Sequence, residues 1–264
     1  MKVKYFDINN PGYSIKCKIF GDDLRALKHV IIFAHGFGGH KDTKAAEHFA
    51  NAALSKMKNT AILVFDWPCH GKDVRKNLTL EDCDTYLSMV LGYIKDEFKV
   101  LDVSIYGTSF GGYLTLKYIH DHGMKTTLES DKESLAFMIK KVALRCPAIA
   151  MYDVMYDRVM SAENIENLNK GKAIMAGFDR KVMIDQKFLD SLKNSDIRTY
   201  DYIDYADDIL IIHGTKDELI PIEVPNKFSE DNVIEFIKID GADHRFQDLD
   251  KMKLAHSYIV DFFK

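Results

Sequence analysis

Val103-Ser104-Ile105-Tyr106-Gly107-Thr108-Ser109-Phe110-Gly111-Gly112-Tyr113 holds the turn on which the fold of this chain depends. An apolar stretch, residues 103–106, runs straight into a G-x-S-x-G pattern, and a helical pattern over 113–119 leaves it. A strand that stops at such a pattern and restarts at once as a helix must bend its serine into a sharp, strained turn. That turn leaves no room for side chains two positions either side of the serine, which accounts for Gly107 and Gly111. Gly112 lets the helix approach the sheet closely. Ser109 then stands at a helix N-terminus, where backbone N–H groups and the helix dipole favour developing negative charge. Ser109 is therefore the candidate nucleophile.

Working outward, continuous apolar runs recur at residues 30–34, 61–65, 142–144 and 209–212, and another apolar run lies at 233–239. Such runs suit strands of a parallel sheet covered on both faces. Segments of helical period occupy 44–57, 80–98, 110–122 and 248–263. Thr79-Leu80-Glu81-Asp82 reads as the N-terminal cap of the second, and Gly123 as the C-terminal cap of the third. The alternation implies right-handed crossovers and a mostly parallel, doubly wound α/β sheet. Before it, residues 3–8 and 13–20 flank Asn9-Asn10-Pro11-Gly12, the pattern of an N-terminal antiparallel hairpin. Two stretches break the rhythm. Residues 124–134 are polar and read as a surface excursion. Residues 151–195 are too long for one crossover helix and read as a small helical cap inserted into a single domain spanning 1–264.

A nucleophilic serine needs a base, and the base needs an orienting acid. Asp217 follows the run 209–212 by a short turn, and His244 follows the run 233–239 in Gly241-Ala242-Asp243-His244. In open α/β sheets such strand ends converge on one edge. Asp207, Asp208 and Asp243 are rival acids. Asp217 is preferred because its position can reach the loop of His244, whereas adjacent side chains such as Asp243 and His244 diverge. His213 reads as a packing or supporting histidine. His35-Gly36-Phe37-Gly38-Gly39 follows the run 30–34 and offers a backbone donor for an oxyanion, at Phe37, with a second at Phe110. The same loop fails both phosphate-binding glycine patterns: for G-x-x-x-x-G-K-[ST], Lys41 is preceded by His40 and followed by Asp42, and for G-x-G-x-x-G, Lys41 stands at the third glycine's place. Asp66-Trp67-Pro68-Cys69-His70-Gly71 lies at the same sheet edge, so Trp67 is expected to wall the site. Tyr152, Met155 and Tyr156 are the expected pocket residues of the cap. No base is assigned to Cys69.

Composition bounds the rest. The 264 residues carry 36 Lys+Arg against 40 Asp+Glu, a formal charge of −4, which argues against a nucleic-acid binder. The four cysteines, Cys17, Cys69, Cys83 and Cys146, show no zinc or redox spacing and read as reduced thiols of a cytoplasmic protein. No signal-peptide or membrane-spanning pattern is read.

His35-Gly36-Phe37-Gly38-Gly39, Asp66-x-x-x-His70-Gly71, Gly107-x-Ser109-x-Gly111-Gly112, His213-Gly214-x-x-Asp217 and Gly241-x-x-His244 together resemble the α/β-hydrolase superfamily across nearly the whole chain. The order Ser…Asp…His is that of its triads. Within it the chain looks like the small cinnamoyl or feruloyl esterases, although those carry His and Gln where Thr108 and Phe110 stand. The elbow itself is similar to that of prolyl-oligopeptidase catalytic domains. The resemblance implies a serine hydrolase of carboxylic esters, short-acyl or aryl, working through an acyl-enzyme on Ser109. Ser109, Asp217 and His244 would be catalytic, without metal or organic cofactor, on a small-molecule ester, with no nucleic-acid or membrane partner. A peptidase or amidase, or a non-catalytic ligand-binding module, are the alternatives. The sequence assigns no oligomeric state.

Overall fold

The computed structural model describes residues 1–100, 102–127 and 136–264. The chain opens with β1 (Lys2–Asn10) and β2 (Tyr13–Gly21), antiparallel and joined by a tight turn at Pro11-Gly12. There follow β3 (His29–Ala34), α1 (Lys44–Lys56), β4 (Thr60–Phe65), α2 (Leu80–Phe98), β5 (Asp102–Thr108) and α3 (Phe110–His122). β6 (Lys125–Thr127) returns antiparallel onto β7 (Ala136–Arg145). Of the polar excursion expected over 124–134, residues 128–134 lie outside the described residues.

The segment after β7 holds α4 (Met151–Val154), which passes into a π-helical turn (Met155–Val159), then α5 (Ala162–Asn169). A two-stranded antiparallel ribbon, β8 (Ile174–Ala176) and β9 (Val182–Ile184), and α6 (Gln186–Asn194) complete it. The cap is thus helical with a β-ribbon between its helices. Strands of three residues are too short to show a period, so the sequence could not announce them. β10 (Ile209–Gly214), α7 (Glu223–Asn232), β11 (Glu235–Ile239) and α8 (Leu249–Phe263) finish the chain. α7 is largely polar and has Pro225 in its first turn, where a missing N–H costs nothing. That composition hid it from a reading by apolar period.

The main sheet runs β1-β2-β4-β3-β5-β7-β10-β11. From β4 through β11 neighbouring strands of this path are parallel. β4 and β10 are buried along their whole length, as the unbroken apolar runs required. Alternate residues feed two cores. On one face Val30, Ile32 and Ala34 pack with α2, α3 and the buried side of the cap, including Met155, Phe188 and Leu192. On the other, Ile31, Phe33 and Tyr106 pack with α1 and α8 around Phe49. Burying one such aromatic side chain contributes about 1.5–3 kcal/mol. The caps at Thr79, which accepts the Asp82 N–H at 3.0 Å, and at Gly123 stand where the sequence put them.

The chain leaves β3 toward β4 on one side and resumes at β5 on the other. The strand order therefore reverses between β3 and β5, and open α/β sheets form their crevice at such a point. Ser109 and the 36–39 loop flank it.

Gly111 tests this packing. A β-carbon there would lie 2.1 Å from the Ala34 carbonyl oxygen. Gly92, in α2, has open space around the same position. Gly111→Ala is expected to destabilise the fold by about 2–4 kcal/mol through forced displacement of backbone. Gly92→Ala is expected to stabilise it by about 0.5–1 kcal/mol. Urea unfolding of both variants reads the difference.

Candidate active site

Ser109 lies between β5 and α3 at φ 52° and ψ −117°, a left-handed conformation that a serine adopts only when packing forces it. Its backbone is tied on both sides: its N–H donates to the Arg145 carbonyl at 3.1 Å, and its carbonyl accepts from Gly112, Tyr113 and Ala148. The Oγ is 3.1 Å from His244 Nε2. His244 Nδ1 is 2.8 Å from Asp217 Oδ2. With Nδ1–H donating to the carboxylate, Nε2 is left to accept from the serine hydroxyl.

Asp217 has a fully buried side chain. Its Oδ1 accepts the N–H groups of Leu219 and Ile220 at 2.9 and 2.8 Å. Its Oδ2 also lies 3.2 Å from His213 Nε2. Burial pushes this carboxyl up, but hydrogen bonds from His213 and His244 and from the Ile220 N–H outweigh it. They hold the group well below the usual carboxylate range. The rival acids are elsewhere. Asp207 and Asp208 precede β10, at the far end of that strand, and Asp243 Oδ1 accepts the Gln247 N–H at 2.9 Å.

Phe110 opens α3, so its N–H is among the donors that a helix start leaves unpaired. Phe37 lies in a turn closed by Gly39 N–H onto Gly36 carbonyl at 2.9 Å, with Gly38 at φ +73°, the conformation glycine supplies in a type II turn. That turn is braced from beneath. His35 Nδ1 donates to the Gly36 carbonyl at 2.9 Å, and Trp67 Nε1 donates to the His35 carbonyl at 3.1 Å. Burial pushes the His35 imidazole well down, so it stays neutral, and burial likewise holds His70 at about 4. The Phe37 and Phe110 rings meet edge to face, 5.7 Å apart, and His70 touches both.

Asp66 joins this loop to the next. Its carboxylate is fully buried and accepts Lys41 N–H at 2.6 Å, Lys72 N–H at 2.9 Å and Lys41 Nζ at 3.4 Å. Sequence reading noted Lys41 only as a residue that broke a glycine pattern. An aspartate after the strand at 60–65 and a lysine after the glycine loop were the available signal.

Ser109 and His244 open into a cavity of about 330 Å³. Its cap-side wall is Met151, Val154 and Val159, with Phe178, Asp179 and Arg180 from the turn of the β8–β9 ribbon. This corrects the expected pocket. Met155 is buried in the core, and Tyr152 and Tyr156 stack on each other, Tyr152 lining a separate cleft beside Lys193. Helical period puts Met151 and Val154 on one face, and the π turn brings Val159 onto it. Trp67 is corrected too. Its ring is fully buried and lines a small void against Leu80, Cys83 and Leu114, so it supports the 36–39 turn and does not wall the cavity. Phe178, Arg180 and Arg145 also line the cavity and were not foreseen. An aromatic in a polar turn and an arginine ending an apolar strand were the clues.

The cysteines are free. Burial pushes the Cys69 thiol up to about 12, which leaves it no nucleophilic role at neutral pH. Among the described residues, Cys146, His213 and Asp217 have ligand atoms within 4.8 Å of one another and could hold a metal ion. Such an ion would compete with His244 for Asp217.

Residues 16–176 match the family model described as alpha/beta hydrolase of unknown function (DUF900). No curated protein matches the chain. Among solved structures, Est1E from Butyrivibrio proteoclasticus with ferulic acid bound is 19% identical, TM-score 0.73, over 98% of this chain and 97% of that one. The esterase domain of a Rhodothermus marinus protein is 16% identical, TM-score 0.67, over 99% and 98%. A monoacylglycerol lipase from Paleococcus ferrophilus is 18% identical, TM-score 0.62, over 94% and 97%. At these identities the likeness is one of fold. Among the described residues no helix is long and apolar enough to cross a membrane.

The Asp66–Lys41 pair sets a stability test. Removing one partner of a buried ion pair costs about 3–5 kcal/mol, because the other charge is left uncompensated. Asp66→Ala is expected to lose at most that much in urea unfolding, since the Lys41 and Lys72 N–H groups lose their acceptor but Lys41 Nζ keeps Asp42 at 3.0 Å. Lys41→Met, which leaves Asp66 two backbone donors, is expected to lose less.

Proposed function

The chain belongs to the α/β-hydrolase family, and on that premise we propose that it is a serine hydrolase that cleaves carboxylic esters through an acyl-enzyme on Ser109. The observation that carries this reading is the unbroken chain from Ser109 Oγ through His244 to the buried Asp217, with contacts of 3.1 and 2.8 Å. His244 Nε2 takes the hydroxyl proton as Oγ attacks the acyl carbonyl. Asp217 holds the imidazole in the required tautomer and stabilises its charged form. The Phe37 and Phe110 N–H groups donate to the oxyanion, at a helix start whose dipole favours it. His244 then protonates the departing alcohol, and water repeats the sequence on the acyl-enzyme.

The cavity volume of about 330 Å³ is near the lower end for small-molecule sites, about 300–1,000 Å³. With an apolar wall of Met151, Val154 and Phe178, it favours a short-acyl or aryl ester over a long-chain lipid. The ferulic acid bound to Est1E of Butyrivibrio proteoclasticus is an aryl acid, which is consistent with that choice. Residues 1–264 are read as one domain with 151–195 as its cap, because buried cap residues share a core with the sheet. Four free thiols fit a reducing compartment, and the cytoplasm is the proposed location.

A fluorophosphonate probe is expected to label Ser109 alone. Ser109→Ala should retain the melting behaviour of the parent, lose the label and lose at least about 10³-fold in kcat on p-nitrophenyl butyrate. Labelling of another serine, or undiminished turnover, overturns the assignment. Hydrolysis confined to anilide substrates would make the protein an amidase.

Asp217→Asn is expected to lower kcat by about 10³–10⁴-fold, since an amide cannot hold the same tautomer. Asp243→Asn should cost less than about tenfold, because Asp243 serves a backbone turn. The reverse ranking in steady-state kinetics would move the acid to Asp243.

A further inference from the structure

Arg145 ends β7 beside Thr108 of β5, one residue from the nucleophile, and it is only 7% exposed. Its side chain leaves the sheet on the face covered by α1 and α8. There the guanidinium lies over the Phe246 ring at 5.1 Å, and Nη1 donates to Met252 Sδ at 3.0 Å. Neither partner carries a negative charge. Among the described residues Arg145 forms no ion pair, and its buried Nε has no acceptor. A buried, always-charged group without an anion is costly, and folds rarely keep one. Arg145 lines the same cavity as Ser109.

A second feature converges there. α1 is thirteen residues long, and the side chain of its N-cap, Thr43, makes no capping bond. Thr43 and Ala45 line the cavity, so the unpaired N–H groups and positive dipole end of α1 border it. At the rim, Arg180 is exposed and has no ion pair among the described residues. The acid nearest in sequence, Asp179, is taken by Arg245 at 2.8 Å.

We propose that the ester bound at Ser109 carries a carboxylate, and that Arg145 with the N-terminus of α1 binds it. The proposal rests on the ester-hydrolase reading and adds the substrate class. A guanidinium fork pairs a carboxylate through two parallel hydrogen bonds, which an ammonium cannot do. The carboxylate belongs either to the acyl group, as in a half-ester of a dicarboxylic acid, or to the alcohol.

Three esters separate these cases: mono-p-nitrophenyl glutarate, 4-carboxyphenyl butyrate and the neutral p-nitrophenyl butyrate. Each is compared between parent and variant, so leaving-group differences cancel. Arg145→Met is expected to lower kcat/KM for one of the two anionic esters at least about tenfold more than for the neutral ester. The ester that responds tells which end carries the charge. Arg145→Lys keeps the charge but not the fork, and should lower the same ratio by a smaller factor. It also serves where Arg145→Met does not fold, which retention of fluorophosphonate labelling reports. A readout independent of turnover is thermal melting with glutarate, which should raise the Tm of the parent and not of Arg145→Met. If the variants change all three esters by one factor and glutarate moves neither Tm, the proposal fails while ester hydrolysis stands. If no ester turns over but glutarate stabilises through Arg145, the anion site stands and the esterase reading fails.

Discussion

Between the end of β3 and the first turn of α3 there is space for a hydrogen atom at Gly111 and for nothing larger. A β-carbon there would meet the Ala34 carbonyl oxygen at 2.1 Å and the His35 carbonyl oxygen at 2.7 Å. This close approach presses the start of α3 against the loop after β3. It holds Ser109 at φ 52° and brings the Phe37 and Phe110 donors to one place. The two cores pay the strain of that serine, since α3 and β5 are buried along most of their length. The crevice between β3 and β5 is where the strand order reverses, so the constraint and the topology locate the same point.

Around that point, charges are sorted by burial. Asp217 keeps its charge because two backbone N–H groups and two imidazoles address it. The buried Asp66 carboxylate is likewise fully addressed, by the Lys41 and Lys72 N–H groups and the Lys41 ammonium. His35 and His70 lose theirs, because burial without a carboxylate partner disfavours the cation. Neutral rings thus lie beneath the 36–39 turn. Arg145 departs from this pattern, a cation held beside a ring and a thioether.

The cap adds a wall to the crevice. Its ribbon turn leans on the 36–39 loop so closely that a β-carbon on Gly38 would lie 2.8 Å from the Arg180 carbonyl oxygen. The same turn carries the Asp179–Arg245 ion pair, made with the residue after His244. Movement of this turn would therefore act on both sides of Ser109 at once.

Local chemistry was enough to determine much of this protein. A G-x-S-x-G turn between an apolar run and a helical period has one stable backbone solution, so β5, Ser109 and α3 were legible from residues 103–119. Unbroken apolar runs announced β3, β4 and β10, because strands covered on both faces have no polar side to alternate. Asp217 and His244 were legible because they follow such runs by short turns, and parallel strands end on one edge. What needed the tertiary structure was direction. Which face of the segment after Ala150 meets the cavity is set by how the cap packs on the sheet, and a π turn that no residue type encodes adds Val159 to that face, so Met151, Val154 and Val159 stand where Tyr152, Met155 and Tyr156 were expected. Trp67 follows a strand at the right edge, yet its ring turns under the loop, because burying an indole and satisfying its N–H on the His35 carbonyl outweigh exposure. The ribbon that brings Phe178 and Arg180 over Ser109 consists of strands too short for any period. Arg145 reads in sequence as the end of a strand, and only its packing against Phe246 and Met252 shows a buried cation with no ion pair among the described residues.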